Sequence, residues 1–181
     1  MSSKRKKTFA TNVKWQRIAF FFFFIIPLCM GLASCGEDDD NASGFYSSDG
    51  GYAPDELSIP STFTWDEHFN IISGPDAGKS SGDLNQKLLI YNETDCRASW
   101  SFDFGTYRYS KTGKNTSHLS FSIARNVVGH VQSWQYNLDL IFTGKGNFTM
   151  TGSKVILSNM TGTTRCEIYE GEGVLESGDH F

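Results

Sequence analysis

The feature that most constrains the fold of this 181-residue chain is a strict alternation of apolar and polar side chains in residues 133–140. Even-numbered positions hold Trp134, Tyr136, Leu138 and Leu140, and odd-numbered positions hold Ser133, Gln135, Asn137 and Asp139. Successive side chains of a β-strand point to opposite faces, so this period of two predicts a strand with one buried face.

The same period recurs through residues 55–181, which favours many short strands. Apolar sets in this phase are Ala98, Trp100, Phe102 and Phe104, then Leu119, Phe121 and Ile123, and the pairs Tyr107 with Tyr109 and Phe148 with Met150. Further strand candidates are Phe63–Trp65, His68–Ile72, Lys87–Tyr91, Lys154–Leu157 and Arg165–Tyr169. The predicted core includes Trp100, Phe102, Leu119, Phe121, Trp134, Tyr136, Leu138 and Leu140, with Gln135, Asn137 and Asp139 facing solvent or a polar lumen.

Turn-forming residues separate these strands, and two hairpins are nearly explicit. The segments Ser110–Ser117 and Thr143–Asn147 are rich in Gly, Asn, Thr and Lys, as hairpin turns require. No convincing amphipathic helix pattern lies between these predicted strands. Nine or ten short strands therefore predict an all-β fold, a single antiparallel meander closed into a barrel or folded into a β-sandwich.

Residues 1–34 have a different character. They hold six basic residues and no acidic one, and an apolar run follows the basic start. This run extends from Ile18 to Ala33 with Pro27 near its middle, which is shorter than the ~20 residues that a membrane-spanning helix needs. The pattern predicts a cleaved signal peptide, with an uncut signal anchor as the alternative.

The end of this run, Leu32-Ala33-Ser34-Cys35, resembles a bacterial lipobox. Its small residues suit the cleft of a signal peptidase, and its cysteine supplies the thiol nucleophile for diacylglycerol transfer. The resemblance implies cleavage before Cys35, lipidation of that cysteine, and attachment to a membrane through the lipid.

The acidic residues that follow, Glu37, Asp38, Asp39 and Asp40, resemble the export signal of surface lipoproteins of the Bacteroidetes. The resemblance implies an outer-membrane protein that faces the exterior and engages the lipoprotein-processing and export machinery. The alternatives are a solvated acidic linker and the periplasmic leaflet. Because Gly, Ser, Asn and Asp predominate up to residue 54, we expect residues 35–54 to form a flexible tether before an all-β domain at 55–181.

The domain itself carries two weaker resemblances. The stretch Tyr107–Thr116, followed by Leu138-x-Leu140-x-Phe142, is similar to small, uncharacterised β-domain lipoproteins of bacteria, which implies an architecture and no activity. The length is that of a lipocalin, and Trp65 with Arg165 resembles the Trp–Arg closure of that family. The lipocalin Gly-x-Trp motif is missing, because the triplet that ends at Trp65 begins with phenylalanine.

The charge distribution excludes one class of partner. Six of the 16 basic residues lie in 1–34, which leaves ten basic against all 20 acidic residues in the rest of the chain, a net charge of −10. Nucleic-acid binding depends on Lys and Arg side chains that displace counterions from phosphates. We therefore expect no nucleic-acid partner.

Few residues point to chemistry in the domain. Cys96 and Cys166 share the apolar phase of their strands, which favours a disulfide in an exported protein over two buried thiols. The cluster Trp65–His68 holds titratable groups, but the remaining histidines are scattered, so a solvated turn is favoured over a metal site.

No catalytic motif is recognised, and we expect no catalytic residues, metal or cofactor. The sequence thus favours a non-catalytic module that binds a glycan, a peptide or an envelope partner. The alternatives are a structural or accessory subunit of an envelope complex and, third, a hydrolase.

The lipobox interpretation makes a direct prediction. Replacement of Cys35 by alanine should abolish incorporation of labelled fatty acid and leave an uncut precursor, because the thiol that accepts diacylglycerol is gone. Two or more acyl chains are needed for stable attachment to a bilayer, so the variant should also leave the membrane fraction. Labelling that survives the substitution would contradict the assignment.

Overall fold

The structure, a computed structural model, describes residues 46–181. These residues form eight strands: β1 (Ser61–Ser73), β2 (Ser80–Ile90), β3 (Asp95–Ala98), β4 (Phe104–Gly113), β5 (Thr116–Val127), β6 (His130–Phe142), β7 (Asn147–Ser158) and β8 (Gly162–Ser177). Each strand pairs antiparallel with the next, and β8 pairs with β1 to close a barrel. The predicted all-β meander is confirmed, with eight strands instead of nine or ten.

The alternation that predicted β6 is confirmed in detail. Tyr136, Leu138 and Leu140 are buried, and Gln135, Asn137 and Asp139 are exposed. Burial of each large apolar side chain contributes roughly 1.5–3 kcal/mol, so a one-residue slip that carried this set outside would be strongly disfavoured.

The neighbouring strand β5 obeys the same phase. Leu119 and Phe121 are buried opposite Leu138 and Tyr136 in the ladder. The rings of Phe121 and Tyr136 stack with their centroids 4.5 Å apart. Both predicted hairpins are also present, since residues 114–115 join β4 to β5 and residues 143–146 join β6 to β7.

The prediction for residues 98–104 is wrong in one respect. Strand β3 ends at Ala98, and the chain turns through residues 99–103, where the Ser101 amide donates to the Ala98 carbonyl. The apolar alternation thus runs across a turn, and Phe102 is 79% exposed instead of buried. Trp100 and Trp134 are only partly buried, although both pack against the core.

One end of the barrel, here called the tether end, is covered by residues 46–60. Ala53 is completely buried there, and its amide donates to a carbonyl in the β4–β5 turn. The Lys111 ammonium, on β4, donates to carboxylates of Asp49 and Asp55, each at 2.8 Å. Residues 46–54 were expected in the flexible tether; these contacts place them on the barrel instead.

The ion pairs at the tether end generate a prediction about pH. The hydrogen bond from Lys111 is the main cause that lowers the pKa of Asp49 from 3.8 to about 2, helped by the Ser47 hydroxyl. The stabilisation is therefore complete above pH 4 and is lost as the pH falls through about 2. Lys111→Met should return the pKa of Asp49 towards 3.8 in an NMR titration.

The matched control is Lys114→Met, which removes the same charge from the adjacent turn. That variant should leave the pKa of Asp49 near 2. An Asp49 carboxyl that still titrates near 2 without Lys111 would contradict the assigned cause.

Candidate functional site

The interior of the barrel is filled by side chains. Eight-stranded barrels either pack their interior or hold one small ligand there. Here the Trp65 ring meets those of Trp100, Phe121 and Tyr136 edge-on, at centroid distances of 6.0–6.2 Å. These rings pack with a continuous core drawn from all eight strands. The inward faces therefore contribute packing, and ligand-binding surfaces must be sought elsewhere.

A charged network lies among these rings. The Lys154 ammonium, on β7, donates to Glu67 Oε1 at 2.6 Å and to Asp83 Oδ2 at 2.7 Å. Trp65 Nε1 donates to Glu67 Oε2 at 2.8 Å, and the Tyr136 hydroxyl donates to Glu67 Oε1 at 3.3 Å. Glu67 and Lys154 are both fully buried. The carboxylate thus has partners on both oxygens, as a buried charge requires.

The surroundings of the network shape its electrostatics. The Lys154 ammonium lies 3.6 Å from the centre of the Phe69 ring, a cation–π contact. Burial, together with the negative charge of Glu67, raises the pKa of Tyr136 well above its usual value of 10. The phenol therefore stays protonated and acts as a donor to the carboxylate.

The expected solvated turn at Trp65–His68 is wrong, because these residues lie within β1. Alternation on the strand sends Trp65 and Glu67 inward and leaves Asp66 and His68 outside. The inward lysine was not recognised from sequence. Its signal was present, since Lys154 shares the phase of Phe148 and Met150 on β7.

The lipocalin-like Trp–Arg closure is also wrong. Arg165 is exposed and lies opposite Val155 and Ser73, whereas Trp65 lies opposite Gly173. The inner cation is the lysine of β7 instead.

Cys96 and Cys166 are buried, free thiols, so the expected disulfide is not formed. Cys166 lies on β8 and Cys96 on β3, with β1 and β2 between them in the barrel wall. Neighbouring strands lie about 4.8 Å apart, so this spacing exceeds the ~7 Å between Cα atoms that a disulfide allows. Burial raises the pKa of Cys96 to about 12 and also raises that of Cys166, which keeps both thiols unreactive at neutral pH.

The outer faces of β4, β5 and β6 form a surface that we call the polar wall. It includes a shallow groove of about 480 Å³. The side chains that line it from outside are hydroxyls, amides and one guanidinium: Thr94, Thr106, Arg108, Ser120, Ser122, Gln135 and Asn137.

Two exposed aromatic rings lie at the edge of the polar wall. Phe104 shares the outward phase of Thr106 and Arg108 on β4, and its ring meets that of Tyr91 edge-on at 5.6 Å. Tyr91 and Phe104 are 56% and 58% exposed. This arrangement offers hydrogen-bonding groups beside an aromatic surface, the usual composition of a small-molecule site.

A second groove, of about 460 Å³, crosses the outside of β1, β8, β7 and β6 and is called the acidic groove. Its carboxylates are those of Asp66, Asp139, Glu170 and Glu172, and no Lys or Arg lines it. The His68 and Tyr169 rings stack on one wall, with centroids 6.4 Å apart. Asp66 lies directly opposite Glu172 in the ladder, a like-charge pair that is unfavourable unless a cation is near.

Apolar side chains project at the end of the barrel opposite the tether end. Phe102, Val128 and Met160 occupy the loops after β3, β5 and β7. Asn159 connects the loop after β7 to the turn after β5. Its side-chain amide donates to the Gly129 carbonyl, and its Oδ1 accepts the backbone amide of Val131. We call this surface the loop rim.

The sequence-predicted lipidation and export residues, Cys35, Glu37, Asp38, Asp39 and Asp40, lie outside the described residues. Within residues 46–181, no group of three or more His, Cys, Asp or Glu side chains is arranged to bind a metal ion. The same part of the chain contains no helix long and apolar enough to cross a bilayer.

No protein-family model, curated protein or solved structure matches this chain. The function is therefore argued from the chemistry of its surfaces.

The charged network generates a prediction about stability. Lys154→Met removes the cation and leaves the Glu67 carboxylate buried without its charge partner, which should cost about 3–5 kcal/mol of unfolding free energy. The double variant Glu67→Gln with Lys154→Met removes both charges and keeps the acceptor for Trp65, so it should be clearly more stable than the single variant. Urea unfolding measures both, and equal losses would show that the two charges are not coupled.

Proposed function

We propose that this chain is a lipid-anchored outer-membrane lipoprotein, exposed to the exterior, whose barrel is a non-catalytic module that binds glycans. The support for the anchor is the lipobox ending at Cys35 and the acidic residues after it. The support for the ligand class is the polar wall with its aromatic pair.

The aromatic pair at the polar wall is the observation that carries the glycan assignment. A sugar ring presents hydroxyl groups at its rim and C–H bonds on its faces. Ser, Thr, Asn, Gln and Arg side chains can donate to or accept from the hydroxyls, and the exposed faces of Tyr91 and Phe104 can cover the C–H surface. Phe104 and most of the polar groups lie on neighbouring strands of one sheet, so little ordering is needed on binding.

The packed interior supports an external site for this ligand. A barrel that carries its ligand inside needs a cavity, and here the corresponding space holds Trp65, Tyr136 and the charged network. The polar wall, on the outside of β4–β6, is open to an extended chain of sugars.

The loop rim supports a second candidate, an accessory subunit of an envelope complex. Val128 is 94% exposed and has a φ of +49° in the two-residue turn after β5. A β-branched residue is strained in this left-handed region, where Asn or Gly is the usual choice. An exposed, strained valine beside Met160 and Phe102 is compatible with a surface that a protein partner covers.

The glycan assignment predicts the effect of one substitution. Residues 41–181, produced without lipid, should bind a subset of a glycan array. Phe104→Ala should weaken that binding roughly tenfold, equivalent to about 1.4 kcal/mol, because the stacking surface is lost while the core is untouched. Calorimetry with the best glycan measures the change.

The control is Tyr46→Ala, which removes an exposed aromatic ring at the tether end. It should bind like the parent protein. Absence of binding to every glycan on the array would contradict glycan binding at the polar wall. Equal glycan affinities of the parent protein and Phe104→Ala would also contradict it. Capture of a defined envelope protein that Val128→Asn abolishes would instead support the accessory-subunit candidate.

A further inference from the structure

The ring of strands is incomplete along one side of β2. This strand has 11 residues, but β3 has four, and only Leu88, Leu89 and Ile90 pair with it. Lys87 is the last residue held on this side: its carbonyl accepts the Ser99 amide at 3.0 Å, and its amide donates to the Ser99 hydroxyl at 3.2 Å. Five of the seven residues Ser80–Gln86 pair with β1 on their other side, all except Leu84 and Asn85, and none of the seven has a strand neighbour on this side in the described chain.

The loop after β3 turns away from β2 and follows β5 instead. The Ser101 hydroxyl donates to the Ala124 carbonyl at 3.3 Å, and the Asp103 carboxylate accepts the Asn126 amide at 3.3 Å. The wall therefore divides at Ser99, with β2 on one side and the loop on the other. We call this gap the wall opening.

The wall opening lies beside a buried group that lacks a hydrogen-bond partner. Trp100 packs its ring against Trp65 and Trp134 at this point, and its Nε1 is buried without a hydrogen-bond partner. An unsatisfied buried donor destabilises the fold. Asp83, on the free edge, is 42% exposed and binds Lys154, so the opening also reaches the charged network.

We propose that the free edge Ser80–Gln86 is a docking site for an extended, basic segment of a partner protein, which adds a strand next to β2. A free strand edge presents backbone N–H and C=O groups in a row, and the group that matches such a row is another extended backbone. Seven residues are enough for a strand of ordinary length. The site is separate from the polar wall and does not depend on glycan binding.

Charge identifies the segment as basic. Leu84, which lies on the free edge and is 68% exposed, also borders the acidic groove. A strand added at this edge would run beside Asp83, and its long side chains would extend over Leu84 towards the carboxylates of that groove, which no Lys or Arg lines. The described residues carry 16 acidic against ten basic side chains, and this excess also attracts a cationic segment.

A second copy of this chain fits the edge less well. The register between β1 and β2 shifts between Trp65 and Glu67, and Asn85 has a φ of +52°. Such irregularities oppose pairing with a second edge that carries the same bulge and the same charge, whereas a single extended segment can adapt its backbone to them. Pairing of two copies would also bring two acidic grooves together.

The test uses the purified full chain in detergent and two synthetic nine-residue peptides, one alternating Lys with Val and one alternating Glu with Val. The Lys peptide should bind at least tenfold more tightly than the Glu peptide, and it should slow amide hydrogen exchange at Ser80–Gln86 at least tenfold. Methylation of alternate backbone nitrogens in the Lys peptide should abolish this protection, because those nitrogens can no longer donate.

One substitution on the protein completes the test. Leu84→Lys places a cation at an exposed position of the edge, where it repels a basic strand without disturbing the core, and it should weaken the Lys peptide at least tenfold. Ile59→Lys adds the same charge at the tether end and should have no effect, and Phe104→Ala should also bind the peptide normally.

Several results would overturn the inference while leaving the polar wall unaffected. These are absence of peptide binding by a chain that still binds glycan, protection outside Ser80–Gln86, and equal binding of the methylated peptide. Self-association that protects this edge without peptide would overturn the assignment to a partner, in favour of a second copy.

Discussion

The ion pair between Lys154 and Glu67 joins β7 to β1 across the interior, with β8 lying between these two strands. Water does not solvate the charge of either residue, because both side chains are fully buried. A one-residue slip of either strand would send one charge outside and leave the other unpaired in the core, which is far more costly than loss of a surface pair. The pair therefore acts with the apolar phase to fix the register in which the last strand closes on the first. Trp65 and Tyr136, which both donate to Glu67, extend this constraint to β6.

A core organised in this way determines where function can lie. The rings and charges that set the closure occupy the space that a ligand-carrying barrel would leave empty, so recognition moves to the outer wall. The outer wall then differs by sector, because the outward phase of each strand is free of packing demands. It is hydroxyl- and amide-rich on β4–β6, acidic on β8 and β1, and apolar at the loop rim. The proposed glycan site and the proposed peptide edge lie in different sectors, so binding at one does not require binding at the other.

The period of two was sufficient to predict the all-β class, both hairpins and the buried set of β5 and β6, because burial of a whole face outweighs local preferences. It failed at Phe102, since a turn after Ala98 reverses the chain while the apolar alternation continues in the sequence. It also failed to predict the burial of Lys154. This residue has the inward phase, but a lysine is not expected in a core unless an acidic partner such as Glu67 lies beside it. That pair joins residues 87 positions apart in the chain. The strand register that brings them together is set when β8 pairs with β1 to close the barrel. The predicted disulfide failed for the same reason, because inward phase does not say which strands become neighbours in the closed barrel.

The short β3 strand links these observations. A full-length third strand would have continued past Ala98, paired with Ser80–Gln86 and completed the wall. The chain turns at residues 99–103 instead, and the Trp100 ring fills the space beside Trp65 from the loop. The Trp100 ring covers the apolar core where a strand would otherwise lie. It provides no hydrogen-bond partners for the backbone edge of β2, and its own indole nitrogen has none. A further segment with its own donors and acceptors would satisfy the backbone edge, which supports our interpretation of the gap in the wall as a recognition surface.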